Sequence, residues 1–496
     1  MCSFIKSKKG MDFNMQIIGT DIPETEKKSK KLIKIILIIV AILFIISIAL
    51  ICYITYLKST EFKFTIDEKS VSATEDLFIF EGDNMYISIK DFATLLDYRA
   101  YNGGYRQFSE DTNKCYIENA NEVASFELGS RRIYKTPPES QTDYEYFTLQ
   151  EPVKLIGNKL YTTPEGISIG CNAKIIYSKE KNSITVYSLP YLTQIYIAEY
   201  ENNDIKENFN NQKALLYNMI VLSNTKDHSY SSNSKYGVYS LDGEEIIGTK
   251  YSKIDFVEST QEFIVTTSDK KVGIVTSAGE TKVSPQYDEL KQIDRDLNLY
   301  LATSSGKKGV IEKNGKILIY LEYDEIGVDT SNYSKNDIKN KYLLFDNCIP
   351  VKRDNKWGIY DKRGNLILPI EYDSLGCIAG TSNNRSANNV LTIPDIEGIV
   401  VCKEIQISNN NKKKYYGIVN SLGKELIPIA LETIYSVTLS GREEYTMIND
   451  GTSYDVIDWI RRNVSSQDQD INNSNIITNT VDNGNIILNN ISTNQM

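Results

Sequence analysis

A glycine-centred pattern recurs five times between residues 214 and 450, and it constrains the fold more than any other feature of the chain. In each copy a second glycine follows the first by six positions, and in four copies a tyrosine follows it by fourteen. The fifth copy has Leu431 at that last position. A spacing this regular predicts one small structural unit repeated along the chain. The three sets are Gly237, Gly273, Gly309, Gly358 and Gly417; Gly243, Gly279, Gly315, Gly364 and Gly423; and Tyr251, Tyr287, Tyr323 and Tyr372.

The residue types in each copy predict short antiparallel β-strands. The first glycine stands among apolar and aromatic residues, and a glycine inside a strand indicates a bulge or a close approach of backbone. The second glycine belongs to a polar turn, as in Asn314-Gly315, where it supplies a positive φ and closes a hairpin. A further apolar run precedes each hairpin, so a unit has three or four strands. Units this small must stack, either as a closed propeller or as an open, curved array.

The residue before the first glycine is a tryptophan in only one copy, Trp357, and this tryptophan by itself suggests a recognition motif. The other copies have Tyr236, Val272, Lys308 and Tyr416 at this position, which favours a structural role. The four tyrosines hold one fixed position and are predicted to pack between units. Binding specificity is therefore expected where the copies differ, above all in the insertions at residues 328–346 and 376–397.

The repeated unit resembles the WG (KWG) repeat of bacterial surface and secreted proteins, whose pattern reads roughly K-W-G-y-i-d-x-x-G-k-x-i-x-P-x-Y-D. The segment Lys356–Gly364, followed by Ile370-Glu371-Tyr372-Asp373, is the clearest match. The resemblance covers about half of the chain. It implies a β-repeat array that mediates binding, and it carries over no catalytic residue.

An uncharged apolar run of 23 residues, from Ile35 to Leu57, lies near the N-terminus. A helix rises about 1.5 Å per residue, so this run is long enough to cross the hydrocarbon core of a bilayer. Lysines are more numerous before the run than after it, which predicts that residues 1–34 are a cytoplasmic basic segment. We therefore predict a single-pass signal-anchor over residues 35–57, with the remainder of the chain outside the cell.

Two other interpretations of this run are less favoured. A signal peptide cleaved near Ser47 and Ala49 would leave the apolar run continuing eight residues past the cleavage site. A lipid anchor would use Cys52, but the bulky Ile51 stands directly before it, where lipoprotein sites have a small residue.

Residues 60–190 are predicted to form a compact α+β domain with two related halves. In the first half the spacing predicts a strand over Met85–Ile89 and a helix over Lys90–Leu96 that buries Phe92, Leu95 and Leu96. The second half repeats the order with a strand over Lys159–Thr162 and a helical turn that begins at Pro164.

This order of strands and helices resembles the stalk domain named after the N-terminal domain of copper amine oxidases, which recurs on the surface of Gram-positive bacteria. The resemblance implies a stalk between the membrane and the repeats. It does not imply amine oxidation, because that copper site needs several histidines and this chain has one.

The remaining segments complete a mainly β organisation. Residues 191–213 are predicted to be a polar connector, partly helical, and residues 214–462 to be the repeat array. A helix from Tyr454 to Arg462, capped by Ser453, is predicted to cover the open end of the array through Val456, Ile457 and Ile460. Residues 463–496 are rich in Asn and Ser and are predicted to be disordered.

Side chains that could carry catalysis are scarce. His228 is the only histidine and lies in a polar loop, so neither a zinc or copper site nor a Ser-His-Asp triad is expected. Acids such as Asp288 and Asp324 hold equivalent positions in successive copies, which favours a turn or strand-end role over a catalytic pair. We predict no catalytic residue, no metal site and no cofactor, since no P-loop or dinucleotide motif is present.

Five cysteines fall in the segment predicted to lie outside the cell. Their odd number argues against a complete disulfide framework. A bridge between the first two remains open beside the alternative of buried free thiols. The five are Cys115, Cys171, Cys348, Cys377 and Cys402.

The chain has a net charge of −10, although its first 34 residues hold eight lysines against four acidic residues. The acidic remainder argues against nucleic-acid binding and against contact with lipid outside residues 35–57. The expected function is that of a non-enzymatic binding or scaffolding protein of the cell envelope, which contacts a cell-wall polymer or another surface protein. The alternatives are a sensor or assembly factor that acts through its cytoplasmic segment, and an envelope enzyme.

Overall fold

The computed structural model describes only part of the chain, and it divides the chain into two compact units. These are residues 1–64 with 177–184, and residues 65–176 with 185–496. Strands dominate the described residues, as predicted. The described residues are 24–60, 62–82, 84–104, 106, 112–138, 144–200, 209–223, 234–333, 338, 340–379, 387–408, 411–439 and 442–467.

The first unit contains one long helix, α1 (Glu24–Thr60). Its segment Leu32–Ile54 is long and apolar enough to cross a membrane. Every side chain of that segment is exposed to solvent in the isolated chain. The helix extends past the predicted limits of 35 and 57 at both ends, because the lysines and glutamates that precede the apolar run are themselves good helix formers.

The α+β domain consists of short strands and two short helices. Their bounds are β1 (Lys63–Ile66), β2 (Lys69–Ser70), β3 (Phe78–Glu81), β4 (Asn84–Ser88), α2 (Ile89–Leu95), β5 (Arg99–Asn102), β6 (Lys114–Glu118), β7 (Val123–Glu127), β8 (Arg132–Thr136), β9 (Glu145–Thr148), β10 (Lys154–Ile156), β11 (Lys159–Thr162), α3 (Pro164–Cys171), β12 (Ala173–Ser178) and β13 (Ser183–Ser188).

Two antiparallel sheets form most of this domain. Strands β5 to β9 make a five-stranded sheet in chain order, and a four-stranded sheet has the order β10-β11-β4-β3. Each half supplies one strand that leads directly into a helix, β4 into α2 and β11 into α3. These two strands pair through Tyr161↔Ser88 and Thr162↔Ile87. The two predicted halves therefore each contribute a strand to one sheet.

The predicted buried face of helix α2 is correct at Phe92 and wrong at Leu95. Leu95 is 41% exposed, whereas Ile89, Phe92 and Ala93 are buried. The helix begins one residue earlier than predicted, which brings Ile89, Phe92 and Ala93 onto one side at the i, i+3, i+4 spacing. Helix α3 begins as predicted, with Pro164 in its first turn and the Thr163 hydroxyl accepting the N–H of Gly166.

The connector contains α4 (Leu189–Tyr200), α5 (Phe209–Gln212) and a 3₁₀ helix (Lys213–Tyr217). Leu189, Leu192 and Leu215 pack with Ile220 of the first repeat sheet. The connector is thus partly helical, as predicted, and it covers one end of the array.

Six antiparallel sheets follow. Their strands are β14 (Met219–Ser223), β15 (Tyr236–Ser240), β16 (Glu245–Tyr251); β17 (Lys253–Val257), β18 (Glu262–Thr266), β19 (Val272–Val275), β20 (Thr281–Tyr287); β21 (Glu289–Asp294), β22 (Leu299–Ser304), β23 (Lys307–Glu312), β24 (Ile317–Tyr323); β25 (Glu325–Ile326), β26 (Cys348–Arg353), β27 (Lys356–Asp361), β28 (Leu366–Tyr372); β29 (Ser374–Leu375), β30 (Thr392–Ile393), β31 (Gly398–Ser408), β32 (Asn411–Asn420), β33 (Glu425–Leu431); and β34 (Thr433–Leu439), β35 (Arg442–Asn449), β36 (Thr452–Asp455).

We call the strands of a complete four-stranded sheet A, B, C and D in chain order. The first glycine of the repeat lies in strand C, and the second lies in the turn between C and D. The first sheet consists of strands B, C and D only. Five apolar clusters each join two successive sheets, so the core of the array lies between sheets rather than inside any one of them.

The terminal helix, α6 (Val456–Gln467), packs against the last sheets. The predicted inward residues are correct, since Val456 and Ile460 are buried and Ile457 packs beside them. The predicted cap is wrong: Thr452–Asp455 is a strand, and the Asp455 carboxylate accepts the N–H of Asp458. The helix includes residues 463–467, which were predicted to be disordered, and the rest of that predicted tail lies outside the described residues.

Candidate binding face of the repeat array

The first glycine of every copy faces a bulge in the neighbouring D strand. Between Val272↔Tyr287 and Ile274↔Val283, a two-residue step in strand C faces a four-residue step in strand D. The other four copies show the same shift. A Cβ at any of these glycines would come within 2.5–2.8 Å of a carbonyl oxygen of strand D. The first glycine is therefore needed for a close approach of backbone, as the sequence predicts.

The second glycine of every copy has a φ between +80° and +88°. In four copies its turn also rests on the D strand of the preceding sheet. A Cβ on Gly279 would lie 2.3 Å from the carbonyl oxygen of Ile246, and one on Gly423 would lie 2.2 Å from that of Ile367. Gly243 belongs to the first sheet, which has no preceding repeat, and nothing lies within 4 Å of its Cβ position. The second glycine thus serves both the turn and the stacking of sheets.

The four repeat tyrosines are buried at the end of strand D, with exposures between 1% and 8%. Each belongs to an apolar cluster between sheets, and Leu431 takes the same place in the fifth copy. Trp357 is half-buried, packs against the cluster between the fourth and fifth sheets, and has the ammonium group of Lys352 5.5 Å from its ring centroid. The aromatic residues that define the repeat are therefore engaged in packing.

The acid after each of three tyrosines links successive sheets. Asp288 accepts a hydrogen bond from Lys271 of its own copy (2.7 Å) and from the N–H of Ser305 in the next sheet (2.6 Å). The pairs Lys307–Asp324 and Lys356–Asp373 repeat this arrangement. The lysine side chain and the N–H group lower the pKa of Asp288. These carboxylates consequently have a structural role in every copy that carries them.

The copies differ most in the loops between strands A and B, and this is where the α+β domain is attached. The loop of the second sheet is residues 258–261, that of the third is residues 295–298, and that of the fourth is an insertion at residues 327–347. We call this end of the array the A–B face. The described part of the insertion contributes Val328, Leu343 and Leu344 to the clusters between sheets.

Arg132 of strand β8 bridges two of these loops. Its guanidinium pairs with Asp296 of the third sheet (3.1 Å) and with Asp346 of the fourth. Thr148 of strand β9 donates a hydrogen bond to the same Asp296 (3.1 Å). The Arg295 guanidinium carbon lies 3.5 Å from the centroid of the Phe147 ring. The end of the five-stranded sheet is therefore bound to A–B loops that differ from copy to copy.

Four buried charges complete this attachment, and we call them the charge quartet: Glu122, Lys135, Lys213 and Glu258. Lys135 lies 2.6 Å from Glu122 and 3.5 Å from Glu258, and Lys213 lies 2.7 Å and 3.0 Å from the same two acids. No side chain of the quartet is more than 9% exposed. Asn172 adds hydrogen bonds to Glu122 (2.6 Å) and Lys135 (2.7 Å).

The charges of the quartet balance, which is what allows them to be buried. Burial by itself would raise the pKa of Glu122, but the adjacent ammonium groups of Lys135 and Lys213 hold that pKa at about 2. Burial would likewise lower the pKa of Lys213, but Glu258 and Glu122 raise it. Buried ions of this kind are tolerated only as a set, since an ion left without its partners is very costly.

A cleft of about 480 Å³ lies beside the quartet, between the α+β domain and the repeats. It is lined by the A strands of the second and third sheets, by residues 340 and 342 of the insertion, and by residues 121–122, 135–137 and 144–145. Its volume falls within the range of roughly 300–1,000 Å³ that is usual for small-molecule sites. Aromatic rings, amides and charges alternate on its walls, so it is suited to a polar ligand with some apolar surface.

The cysteines do not supply a reactive or bridged centre in the described residues. All five in the second unit are buried as free thiols, including Cys115 and Cys171. Burial raises the pKa of the Cys115 thiol to about 12. No cluster of three or more His, Cys, Asp or Glu residues able to hold a metal ion occurs in the part of the chain that the structure describes. His228 lies outside the described residues.

The sequence only partly indicated the A–B face as a candidate binding site. The predicted repeat residues shape and stack the sheets, and none of them lines the cleft. The charge quartet was not predicted, because its members come from four separate segments with no common spacing. The one available signal was the general expectation that specificity lies where the copies differ.

Comparison with known families agrees with the repeat assignment. The family described as the WG containing repeat matches residues 309–342 and 357–380. A comparison with curated proteins gives no match.

Solved structures give distant similarities. A crystal structure of the eukaryotic initiation factor is 9% identical, covers 71% of this chain and 95% of its own, and has a TM-score of 0.23. The structure of the Dos1 propeller is 14% identical, covers 47% of this chain and 64% of its own, and has a TM-score of 0.18. The dihydro-heme d1 dehydrogenase NirN in complex with DHE is 10% identical, covers 79% of this chain and 77% of its own, and has a TM-score of 0.20. Scores this low assign neither fold nor function. The family match therefore identifies residues 309–342 and 357–380 as WG-type β-repeats.

Proposed function

We propose that the protein is anchored in the cell membrane by α1, with its N-terminus in the cytoplasm, and binds a component of the cell envelope through the A–B face. The ligand is a cell-wall polymer or another surface protein, and the role is binding without catalysis. In this proposal residues 60–190 act as the stalk, in keeping with their resemblance to that domain.

The observation that supports the proposal is that one chain contains both an apolar helix long enough to cross a membrane and a cleft beside the charge quartet. None of the side chains of Leu32–Ile54 is buried in the part of the chain that the structure describes, and a run this apolar is suited to a lipid environment. The repeat residues are used for packing, which leaves the divergent A–B loops as the part of the array that can differ in specificity. The catalytic alternative has no support in the described residues, where no cluster able to hold a metal ion occurs and the five cysteines of the second unit are buried.

Cysteine labelling in intact cells tests the predicted orientation. Tyr320 is 73% exposed on the repeat array, so Tyr320→Cys places an accessible thiol there. A membrane-impermeant maleimide is expected to label this variant in intact cells. The wild-type chain is the control, because the five natural cysteines of the second unit are buried.

Cys2 supplies the matching test for the other side of the membrane. It should react only after the cells are opened, and Cys2→Ala should remove that signal. Labelling of Tyr320→Cys only after lysis would contradict the proposed orientation, because the repeats would then lie inside the cell.

A further inference from the structure

Two residues that line the cleft each carry a buried polar atom with no hydrogen-bond partner among the described residues. One atom is Oε1 of Glu258, and the other is Nε2 of Gln292. The Glu258 side chain is only 4% exposed, and its other oxygen, Oε2, already serves Lys135 and Lys213. A buried polar group without a hydrogen-bond partner destabilises the state that contains it, so a ligand that satisfied both atoms would gain affinity from each.

The two atoms differ in hydrogen-bonding character, and together they select a ligand group. The carboxylate oxygen of Glu258 can only accept a hydrogen bond, and the Gln292 amide nitrogen can only donate one. Ser259 donates to the Gln292 carbonyl oxygen (2.6 Å), which fixes the amide with its nitrogen unused. A secondary amide carries the complementary pair, since its N–H donates and its C=O accepts.

Secondary amides occur in peptides and in N-acetylated amino sugars, and the walls of the cleft favour the sugar. A peptide would most readily add to the open edge of strand A by backbone hydrogen bonds. In the second sheet that edge is occupied, because the Asn211 amide donates to the carbonyl of Ile254 (2.9 Å) and accepts the N–H of Phe256 (3.1 Å). In the third sheet the Asn340 amide donates to the carbonyl of Ile293 (2.8 Å).

Side-chain groups therefore remain to contact the ligand, as in recognition of a carbohydrate. The tyrosine rings of residues 144 and 342 line the cleft and provide flat apolar area with a hydroxyl group. The lining contains four lysines and four acidic residues, and it has no charge excess that would select a strongly ionic ligand.

We propose that this cleft binds a glycan chain of N-acetylated amino sugars and holds one acetamido group between Glu258 and Gln292. The amide N–H of that group donates to Glu258, and its carbonyl accepts from Gln292. The inference rests on the proposed function, and it names the ligand class that the A–B face takes.

Calorimetric titration of the full-length protein in detergent with the tetrasaccharide of N-acetylglucosamine tests this assignment. Binding is expected, and Gln292→Leu is expected to weaken it at least tenfold because the donor to the acetamido carbonyl is removed. Gln406→Leu is the matched control, since Gln406 is exposed on strand β31 and should leave the affinity unchanged. Cellotetraose, which has a hydroxyl in place of each acetamido group, should bind at least tenfold more weakly than the acetylated sugar.

Three results would overturn the inference: equal affinity for both sugars, no effect of Gln292→Leu, or binding only of an N-acetylated tripeptide. Thermal unfolding of Gln292→Leu, compared with that of Gln406→Leu, shows whether the variant is folded. Retention of the wild type on cell-wall material without binding of the acetylated sugar would leave the proposed function standing and reject this ligand. Absence of retention by any envelope fraction would instead reject the proposed function.

Discussion

Replacing Glu122 with alanine is expected to lower the free energy of unfolding by about 3–5 kcal/mol. The substitution removes one of the two acids of the charge quartet. Lys135 and Lys213 would then share the single carboxylate of Glu258 in an interior from which water is excluded. Urea denaturation of the full-length protein in detergent measures the loss.

Glu127→Ala is the matched control for this substitution. Glu127 lies at the end of strand β7, which begins directly after Glu122, but its side chain is 43% exposed and it pairs with Lys114 at 3.5 Å. An exposed pair of this kind contributes about 0–1 kcal/mol, so the control should lose little. Equal losses of unfolding free energy in the two variants would show that the quartet stabilises the attachment of the α+β domain no more than an exposed ion pair does.

Acidification of the wild type should also lower the free energy of unfolding, because it removes the charge of Glu122. The pKa of Glu122 is about 2 in the folded protein and near 4.5 for an unperturbed glutamate. A carboxyl group whose pKa is lower in the folded state stabilises the fold above its unfolded pKa and loses that contribution as the pH falls through the folded pKa. The stability assigned to Glu122 is thus complete above about pH 4.5 and declines towards pH 2. In Glu122→Ala this part of the acid dependence should be missing.

Replacing Gly279 with alanine is expected to cost about 1–3 kcal/mol more than replacing Gly243 with alanine. Both glycines occupy the turn between strands C and D, with φ values of +83° and +88°, so both variants suffer the same penalty of about 1–2 kcal/mol for a left-handed backbone. The new Cβ at position 279 also meets the backbone carbonyl of Ile246 at 2.3 Å, which cannot rotate away.

The pair of variants separates the turn from the stacking of sheets. The new Cβ at position 243 meets nothing within 4 Å, so Gly243→Ala reports the turn alone. Unfolding followed by tryptophan fluorescence suits this test, because Trp357 and Trp459 both lie in the array. Equal stabilities of the two variants would contradict the conclusion that the second glycine sets the contact between successive sheets.

The repeat architecture could be predicted because it depends on residues that recur. The bulge opposite Gly309, the turn at Gly315 and the burial of Tyr323 each follow from the chemistry of one position, and five copies supply the same evidence. Helix α1 could be predicted just as directly from its apolar run. The errors lie at element boundaries: helix α2 starts one residue early, and Asp455 caps the last helix in place of Ser453.

The A–B face could not be predicted, for a physical reason. Glu122, Lys135, Lys213 and Glu258 are polar residues in segments with no shared period, and the sequence marks each as an ordinary surface charge. Only the fold brings them together, because their burial depends on the way the five-stranded sheet meets the loops of the array. The same holds for Gln292, whose amide nitrogen is buried without a hydrogen-bond partner only in the folded chain.

Hydrogen exchange on the full-length protein in detergent, with and without soluble cell-wall fragments, tests most directly the claim that the A–B face is the binding site. When the fragments are present, slower exchange is expected in strand A of the second sheet, residues 253–257, and in the first part of strand A of the third sheet, residues 289–292. Exchange in the turns between strands B and C, residues 267–271 and 305–306, should not change, since these turns lie at the other end of the sheets. Protection confined to the turns between B and C would contradict the account and place the binding surface at the opposite end of the array.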